Sequence, residues 1–197
     1  MNVFSSAALK TLDSLFIQGY TVEQSYEKAV EFYRLVAEQG NADAQFSLGV
    51  MYDNGNGVEQ SYEKAVEYYR LAADQGNANA QTCLGYMYTY GNGVEQSYEK
   101  AFEYYSLAAD QGYEAAQSNL GVMYERGEGV EQSYEKAVEY YRLAAEQGNA
   151  IAQTSLGYMY ENGNGVEQSY EKAVEYYRLA AEQGIGYAQK RLKELDY

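Results

Sequence analysis

The fold class predicted by this sequence is an all-α solenoid of antiparallel helix pairs, and three observations predict it. One phrase recurs at constant spacing, each period holds two stretches of helical apolar spacing, and glycines fall at fixed places between them. The phrase is Val58-Glu59-Gln60-Ser61-Tyr62-Glu63-Lys64-Ala65-Val66-Glu67-Tyr68-Tyr69-Arg70-Leu71-Ala72-Ala73, and close copies start at Val22, Val94, Val130 and Val166, each 36 residues after the last. A repeat of this length is one supersecondary unit that cannot bury its apolar face alone, so copies must stack.

Taken along the chain, Ser5 to Phe16 is a degraded first helix, with Asp13 and Thr21 where later units carry glycine. In a complete unit, Ala42 to Asn54 is the first helix, Gly55-Asn56-Gly57 the turn and Ser61 to Gln75 the second helix. The second helix places Tyr62, Ala65, Val66, Tyr69, Ala72 and Ala73 on one apolar stripe, and leaves Glu63, Lys64, Glu67, Arg70 and Asp74 solvated. Ser61 is its N-cap and Gly76 its left-handed stop. The first helix buries Ala44, Leu48, Met51 and Tyr52. Gly49 returns as Gly85, Gly121 and Gly157; a helical glycine costs about 1 kcal/mol relative to alanine, so its repetition implies close backbone approach between helices. Near the end, Lys190, Arg191, Lys193 and Glu194 replace small or apolar residues, as a polar capping helix requires. The result is a single solenoid domain over 1–197, with repeats at about 4–39 (degenerate), 40–75, 76–111, 112–147 and 148–183, and a cap helix over 184–197.

Composition narrows the partners. The formal net charge of −15 argues against nucleic acid and anionic membrane surfaces, which need clustered Lys and Arg, and favours a neutral or basic protein segment. Cys83 is the one cysteine, so no intrachain disulfide forms. No run reaches bilayer-spanning length and Met1 to Tyr20 lacks the pattern of a secretory signal, so a soluble cytoplasmic protein without membrane insertion is expected.

The pattern Ala44-x-x-x-Leu48-Gly49-x-x-Tyr52-x-x-Gly55-x-Gly57-Val58, followed by Tyr62-x-Lys64-Ala65-x-x-x-Tyr69-x-x-Ala72-Ala73-x-x-Gly76, resembles the Sel-1-like repeat family, relatives of the tetratricopeptide repeats. The match runs from Ser5 to Leu195. The resemblance implies a right-handed superhelix, with first helices lining a concave side and second helices a convex side, and an adaptor role in assembling other proteins. The chain departs from the family pattern in Tyr68, Tyr104, Tyr140 and Tyr176, where many members carry Trp. It departs again in Leu35, Leu71, Leu107, Leu143 and Leu179, where a polar residue is common. It also lacks the paired cysteines of the subgroup to which β-lactamase activity is attributed.

Copies within one chain can be compared column by column, because columns held by stacking repeat and the others drift. At about 100° per residue, columns 43, 46, 47, 50, 53 and 54 of the first helix share one face. By the family geometry this face lines the concave groove. It carries Phe46, Val50, Asp53 and Asn54; Thr82, Cys83, Tyr86, Thr89 and Tyr90; Ser118, Asn119, Val122, Glu125 and Arg126; and Thr154, Tyr158, Glu161 and Asn162. Tyrosines offer rigid contact area, and Asn and Arg can hydrogen-bond an extended backbone, so this is the candidate peptide-binding face. The alternative is neutral drift on a solvated surface.

Most of the 25 tyrosines, including Tyr52, Tyr62 and Tyr69, fall in fixed columns and are assigned to the core. The Leu71 column has two readings: each leucine tucks against the Tyr68-type ring of a neighbouring unit, or the leucines form a convex ridge for self-association. No catalytic, cofactor or metal site is expected. Ser61-Tyr62-Glu63-Lys64 matches Ser-x-x-Lys but lacks the companion motifs of serine β-lactamases, and Gly55-Asn56-Gly57 lacks a phosphate loop's strand and its lysine. Histidine is absent. Glu125 and Glu161 remain conceivable as a carboxylate pair across the groove.

Overall fold

The computed structural model describes residues 22–195. They form ten helices and, among the described residues, no strand. The degraded helix expected over Ser5 to Phe16, with Asp13 and Thr21, lies outside the described residues. The chain divides into two compact units, 1–97 and 98–197, each taken by itself below.

Unit 1 contains α1 (Val22–Glu38), α2 (Ala42–Asn54), α3 (Tyr62–Ala73) and α4 (Ala78–Tyr90). Unit 2 contains α5 (Tyr98–Asp110), α6 (Glu114–Arg126), α7 (Tyr134–Glu146), α8 (Ala150–Asn162), α9 (Tyr170–Glu182) and α10 (Gly186–Glu194). First helices are thus α2, α4, α6, α8 and α10, and second helices are α1, α3, α5, α7 and α9.

Each helix begins and ends for a local reason. Ser61, extended at φ −153°, accepts a hydrogen bond from the Lys64 N–H, and Ser133 and Ser169 do the same for Lys136 and Lys172. Gly76 turns left-handed at φ +87°, and Asn77 then caps α4 by accepting from the Ala80 N–H at 2.9 Å. Asn41 and Asn149 repeat that cap, whereas Tyr113 and Ile185 hold the same place with no side-chain bond. The turn inside a pair is clipped by Gln60, whose Nε2 donates to the Asp53 carbonyl at 2.7 Å, a contact repeated by Gln96, Gln132 and Gln168.

The core is the expected seam. Leu48, Met51, Tyr52, Ala65, Val66 and Tyr69 are buried in unit 1, as are Leu156, Met159, Tyr160, Ala137, Val138 and Tyr141 in unit 2. Each large apolar side chain in it contributes about 1.5–3 kcal/mol. A buried amide ties the stacking together. Gln45 donates to the Ala37 carbonyl of the preceding second helix at 3.3 Å and accepts from Gln75 at 2.7 Å; Gln153 makes the same pair of bonds with Ala145 and Gln183.

Gly49 is indeed a point of close approach, but the group that approaches is a ring and not a backbone. A Cβ there would lie 2.5 Å from Cδ1 and Cε1 of Tyr69, and Gly121 and Gly157 meet Tyr141 and Tyr177 in the same way. Close backbone contact occurs instead at Gly57, where a Cβ would lie 2.5 Å from the Tyr26 carbonyl carbon.

Two column assignments are corrected. The Tyr62 column is not fully core: Tyr62, Tyr134 and Tyr170 are exposed, and Tyr26 and Tyr98 are only partly buried. Nor are the leucines buried against the Tyr68 column. Tyr68 stacks on Tyr52 of its own pair, with centroids 5.6 Å apart and planes 8° apart, and Tyr140 and Tyr176 stack likewise on Tyr124 and Tyr160. Leu35, Leu71, Leu107, Leu143 and Leu179 stay exposed.

In α10, Lys190, Lys193 and Glu194 are exposed as a polar end should be. Arg191 instead turns inward and forms an ion pair with Glu161, which also accepts from its Nε at 3.3 Å. No helix of the described residues is long and apolar enough to cross a membrane.

Candidate functional site

The drifting columns of the first helices separate into three layers of exposure. Phe46, Val50 and Ser118 are buried, which corrects their assignment to an open face. An arc as wide as the one drawn from the sequence reaches round to the helix flanks. Phe46 leans on the Tyr69 ring with centroids 5.9 Å apart, and a valine at position 50 is short enough to be covered where a tyrosine is not. Asp53, Thr82, Thr89, Asn119, Val122, Glu125, Thr154 and Glu161 are partly buried. Asn54, Tyr86, Tyr90, Arg126, Tyr158 and Asn162 are exposed.

The acids and threonines of the middle layer are already engaged. Tyr69 donates its hydroxyl to Asp53 Oδ2 at 3.2 Å, Tyr141 to Glu125 Oε2 at 2.6 Å and Tyr177 to Glu161 Oε2 at 2.8 Å. The acids of this column are therefore anchors for the deepest tyrosine of each pair. Glu125 and Glu161 each accept from a separate ring, and Glu161 is paired with Arg191 as well. Burial, followed by the neighbouring acid and thiol, pushes the Tyr69 hydroxyl well above the ordinary tyrosine range, and burial with the bonded carboxylate does so for Tyr141 and Tyr177. Burial likewise raises the Asp53 carboxyl, against the lowering effect of its Tyr69 bond. Cys83 lies beside Tyr69, and burial pushes its thiol up to about 12, so it is a protonated packing group at neutral pH.

Thr82, Thr89 and Thr154 donate their hydroxyls to the carbonyls of Ala78, Gly85 and Ala150, each at 2.8 Å. Asn54 and Asn162 donate to the carbonyls of Val50 and Tyr158 at 2.8 and 2.9 Å. These side chains fold back on their own helix, and the two asparagines retain one amide hydrogen and the carbonyl for another molecule. Arg126 lies 3.8 Å from Glu128.

What projects is aromatic. In unit 1, Tyr86 and Tyr90 are 49% and 62% exposed, one turn apart on α4, with ring centroids 4.5 Å apart and planes at 46°. In unit 2, Tyr158 on α8 is 40% exposed. Column 43 adds two residues that the sequence reasoning did not name, Ile151 at 59% and Tyr187 at 47% exposure, the latter edge-on to Tyr177 at 6.2 Å. Their signal was present: column 43 runs Asp43, Asn79, Ala115, Ile151, Tyr187, and so turns apolar along the chain. Among the described residues, no cluster of three or more Cys, Asp or Glu is placed to hold a metal ion.

This arrangement can be set against known proteins. The Sel1 repeat profile matches residues 15–41, 42–77, 78–113, 114–149 and 150–185. The chain belongs to the Sel1 repeat family. Two solved structures support the assignment at a TM-score of 0.81. One is c5321, a protective antigen of uropathogenic Escherichia coli with this fold, 41% identical over 85% of the chain, which spans only 36% of that protein. The other is a Sel1 repeat protein from Oxalobacter formigenes, 33% identical over 96% of the chain and 78% of that protein. Cysteine-rich protein B of Helicobacter pylori is similar at 27% identity over 66% of the chain and 94% of that protein, with a TM-score of 0.54. Comparison with curated protein sequences found no match. Sel1 arrays generally act as protein-interaction scaffolds, and the helical pairs described above have the Sel1 fold.

Proposed function

We propose that this Sel1 array is an adaptor that binds a peptide or protein segment on the exposed face of its first helices. The observation that carries the reading is the partition of columns. On the first helices, positions that repeat unchanged are occupied by stacking, whereas drifting ones present Tyr86 and Tyr90 in unit 1 and Ile151, Tyr158 and Tyr187 in unit 2. The exposed aromatics of the first helices supply contact area at little cost in side-chain entropy. Asn54, Asn162 and Arg126 supply the polar contacts beside them. No reaction is assigned, since the acids, the threonine hydroxyls and the Cys83 thiol on this face are bound to structural partners.

A second reading rests on the exposed leucine column. Leu35 and Leu71 in unit 1, and Leu107, Leu143 and Leu179 in unit 2, project from the second helices among charged neighbours. Such a ridge suits self-association.

Affinity capture from the host separates the two readings. The intact protein is compared with a variant carrying Tyr86→Ala, Tyr90→Ala, Arg126→Glu and Tyr158→Ala, and with one carrying Leu71→Lys, Leu107→Lys and Leu143→Lys. Equal helicity by circular dichroism is required of all three. Loss of a heterologous partner only with the first variant supports the adaptor. Loss of self-association only with the second moves the ridge to the front.

A further inference from the structure

From the way this chain treats its own tyrosines, we infer that the Tyr86–Tyr90 pair of unit 1 is a receptor for a cationic side chain, arginine or lysine, on an extended basic segment of the partner. This rests on the first-helix face being the partner surface, and it names the chemistry of what that face takes.

Where first-helix tyrosines face second helices, the chain covers their rings with its own cations. Lys64 Nζ lies 5.2 Å from the Tyr52 centroid, Lys136 Nζ 5.0 Å from that of Tyr124, and Lys172 Nζ 5.1 Å from that of Tyr160. Arginines bind the same hydroxyls: Arg34 donates to Tyr52 at 2.9 Å, and Arg142 to Tyr160 at 2.8 Å. The ring quadrupole holds an ammonium or guanidinium within about 6 Å of its centroid, so these contacts are attractive.

Tyr86 and Tyr90 have the same chemistry without the cation. Their rings touch each other and stand about half exposed. The four basic residues among the described residues of unit 1, Lys28, Arg34, Lys64 and Arg70, all belong to the second helices α1 and α3. Helix α4 carries no charged side chain, and α2 carries only Asp43 and Asp53. The first-helix side of the unit is thus aromatic and mildly acidic, in a chain of formal net charge −15. A neutral or acidic segment would gain only contact area there. A basic one gains the ring quadrupoles and the long-range field together.

The test uses the full chain and a pair of fluorescein-labelled twelve-residue Ser/Gly peptides containing three arginines or three citrullines. Citrulline keeps the planar shape and most of the hydrogen bonds and removes the charge. Binding is followed by anisotropy for the wild type, for Tyr86→Leu/Tyr90→Leu and for Tyr86→Phe/Tyr90→Phe. All three proteins have the same charge, so unspecific attraction to the acidic chain is equal among them. The expected result is that the arginine peptide binds the wild type and the phenylalanine variant at least about fivefold more tightly than it binds the leucine variant, while the citrulline peptide binds all three equally weakly. Equal binding of the arginine peptide to all three proteins overturns the inference, because general acidity would then explain it. Tight binding of the citrulline peptide to the wild type overturns it too, in favour of plain apolar contact. Sedimentation of the free wild type as a dimer that the leucine variant abolishes assigns the pair to a second copy of the chain and overturns it as well. The outcome also separates this inference from the adaptor reading. If host capture depends on Tyr158 and Arg126 but the arginine preference is absent, the adaptor stands and the cation receptor falls. If the arginine preference is present but host capture ignores the face, the reverse holds.

Discussion

Replacing Gly49 by alanine should destabilise unit 1, although alanine is the better helix former by about 1 kcal/mol. The new Cβ would stand 2.5 Å from two carbons of the Tyr69 ring, inside any real contact distance. The ring has nowhere to go: it is buried, Phe46 lies against it with centroids 5.9 Å apart, and its hydroxyl is held by Asp53 at 3.2 Å. Retreat would break a hydrogen bond worth about 0.5–1.5 kcal/mol, and repacking around the added carbon costs about 1–3 kcal/mol. Set against the propensity gain, the net loss is about 0.5–3.5 kcal/mol. Urea unfolding followed by circular dichroism reads it as a lower midpoint, compared in parallel with Gly76→Ala. At Gly76 the backbone is left-handed at φ +87° and a Cβ would meet nothing within 4 Å, so the cost there is backbone strain alone, about 1 kcal/mol. The two differ in their coupling to Tyr69. Gly49→Ala with Tyr69→Leu should be less destabilised than the sum of the single changes by about 1 kcal/mol, whereas Gly76→Ala with Tyr69→Leu should be additive. A stabilised Gly49→Ala protein, or additivity in both pairs, refutes the packing argument.

Three further outcomes are expected. Gly57→Ala should cost at least about 2 kcal/mol, more than Gly76→Ala, because left-handed strain at φ +69° is joined by a clash with the Tyr26 backbone, which cannot rotate away as a side chain can; urea midpoints measured side by side check it. Ser106→Arg should stabilise unit 2 by about 0.5–1.5 kcal/mol, read as a raised melting temperature, since position 106 corresponds to Arg34 and Arg142, whose guanidinium groups donate to Tyr52 and Tyr160, and it would give Tyr124 the same bond. Alkaline pH should unfold the protein through its deep tyrosines. Tyr141 and Tyr177 have raised pKa values when folded, so their contribution is complete below the unfolded value of about 10 and is lost as pH climbs above it, by about 1.4 kcal/mol per pH unit for each ring. Tyr141→Phe should flatten the slope of unit 2 stability between about pH 10 and 11.5, and an unchanged slope counts against the burial argument.

Much of the architecture was legible without coordinates because one physical constraint acts on every copy. A unit that must stack on near-identical neighbours repeats its core columns, caps and turns, so Ala42–Asn54 as a helix, Ser61 as an N-cap and Gly76 as a left-handed stop could be read from recurrence alone. Recurrence also divided the first helix into held and drifting columns, and the exposed Tyr86, Tyr90 and Tyr158 fall among the drifting ones.

Tertiary structure decided what periodicity cannot encode, namely which neighbour each side chain meets. A repeated glycine says that something comes close, and only packing shows that it is the Tyr69 ring at Gly49 and the Tyr26 backbone at Gly57. A helical wheel places Phe46 and Tyr86 on one face, but burial depends on side-chain length and on the adjoining helix, so one is core and the other projects. The same holds for the acids. Asp53, Glu125 and Glu161 look like a polar binding row in one dimension, and in three they are the anchors of buried hydroxyls, which leaves the aromatic side chains as the exposed ones. Local sequence determines which segments become helices because hydrogen bonds and caps act within a few residues; what each face touches is determined by distant residues, as Asp53 is 16 positions from Tyr69 and Tyr26 is 31 from Gly57.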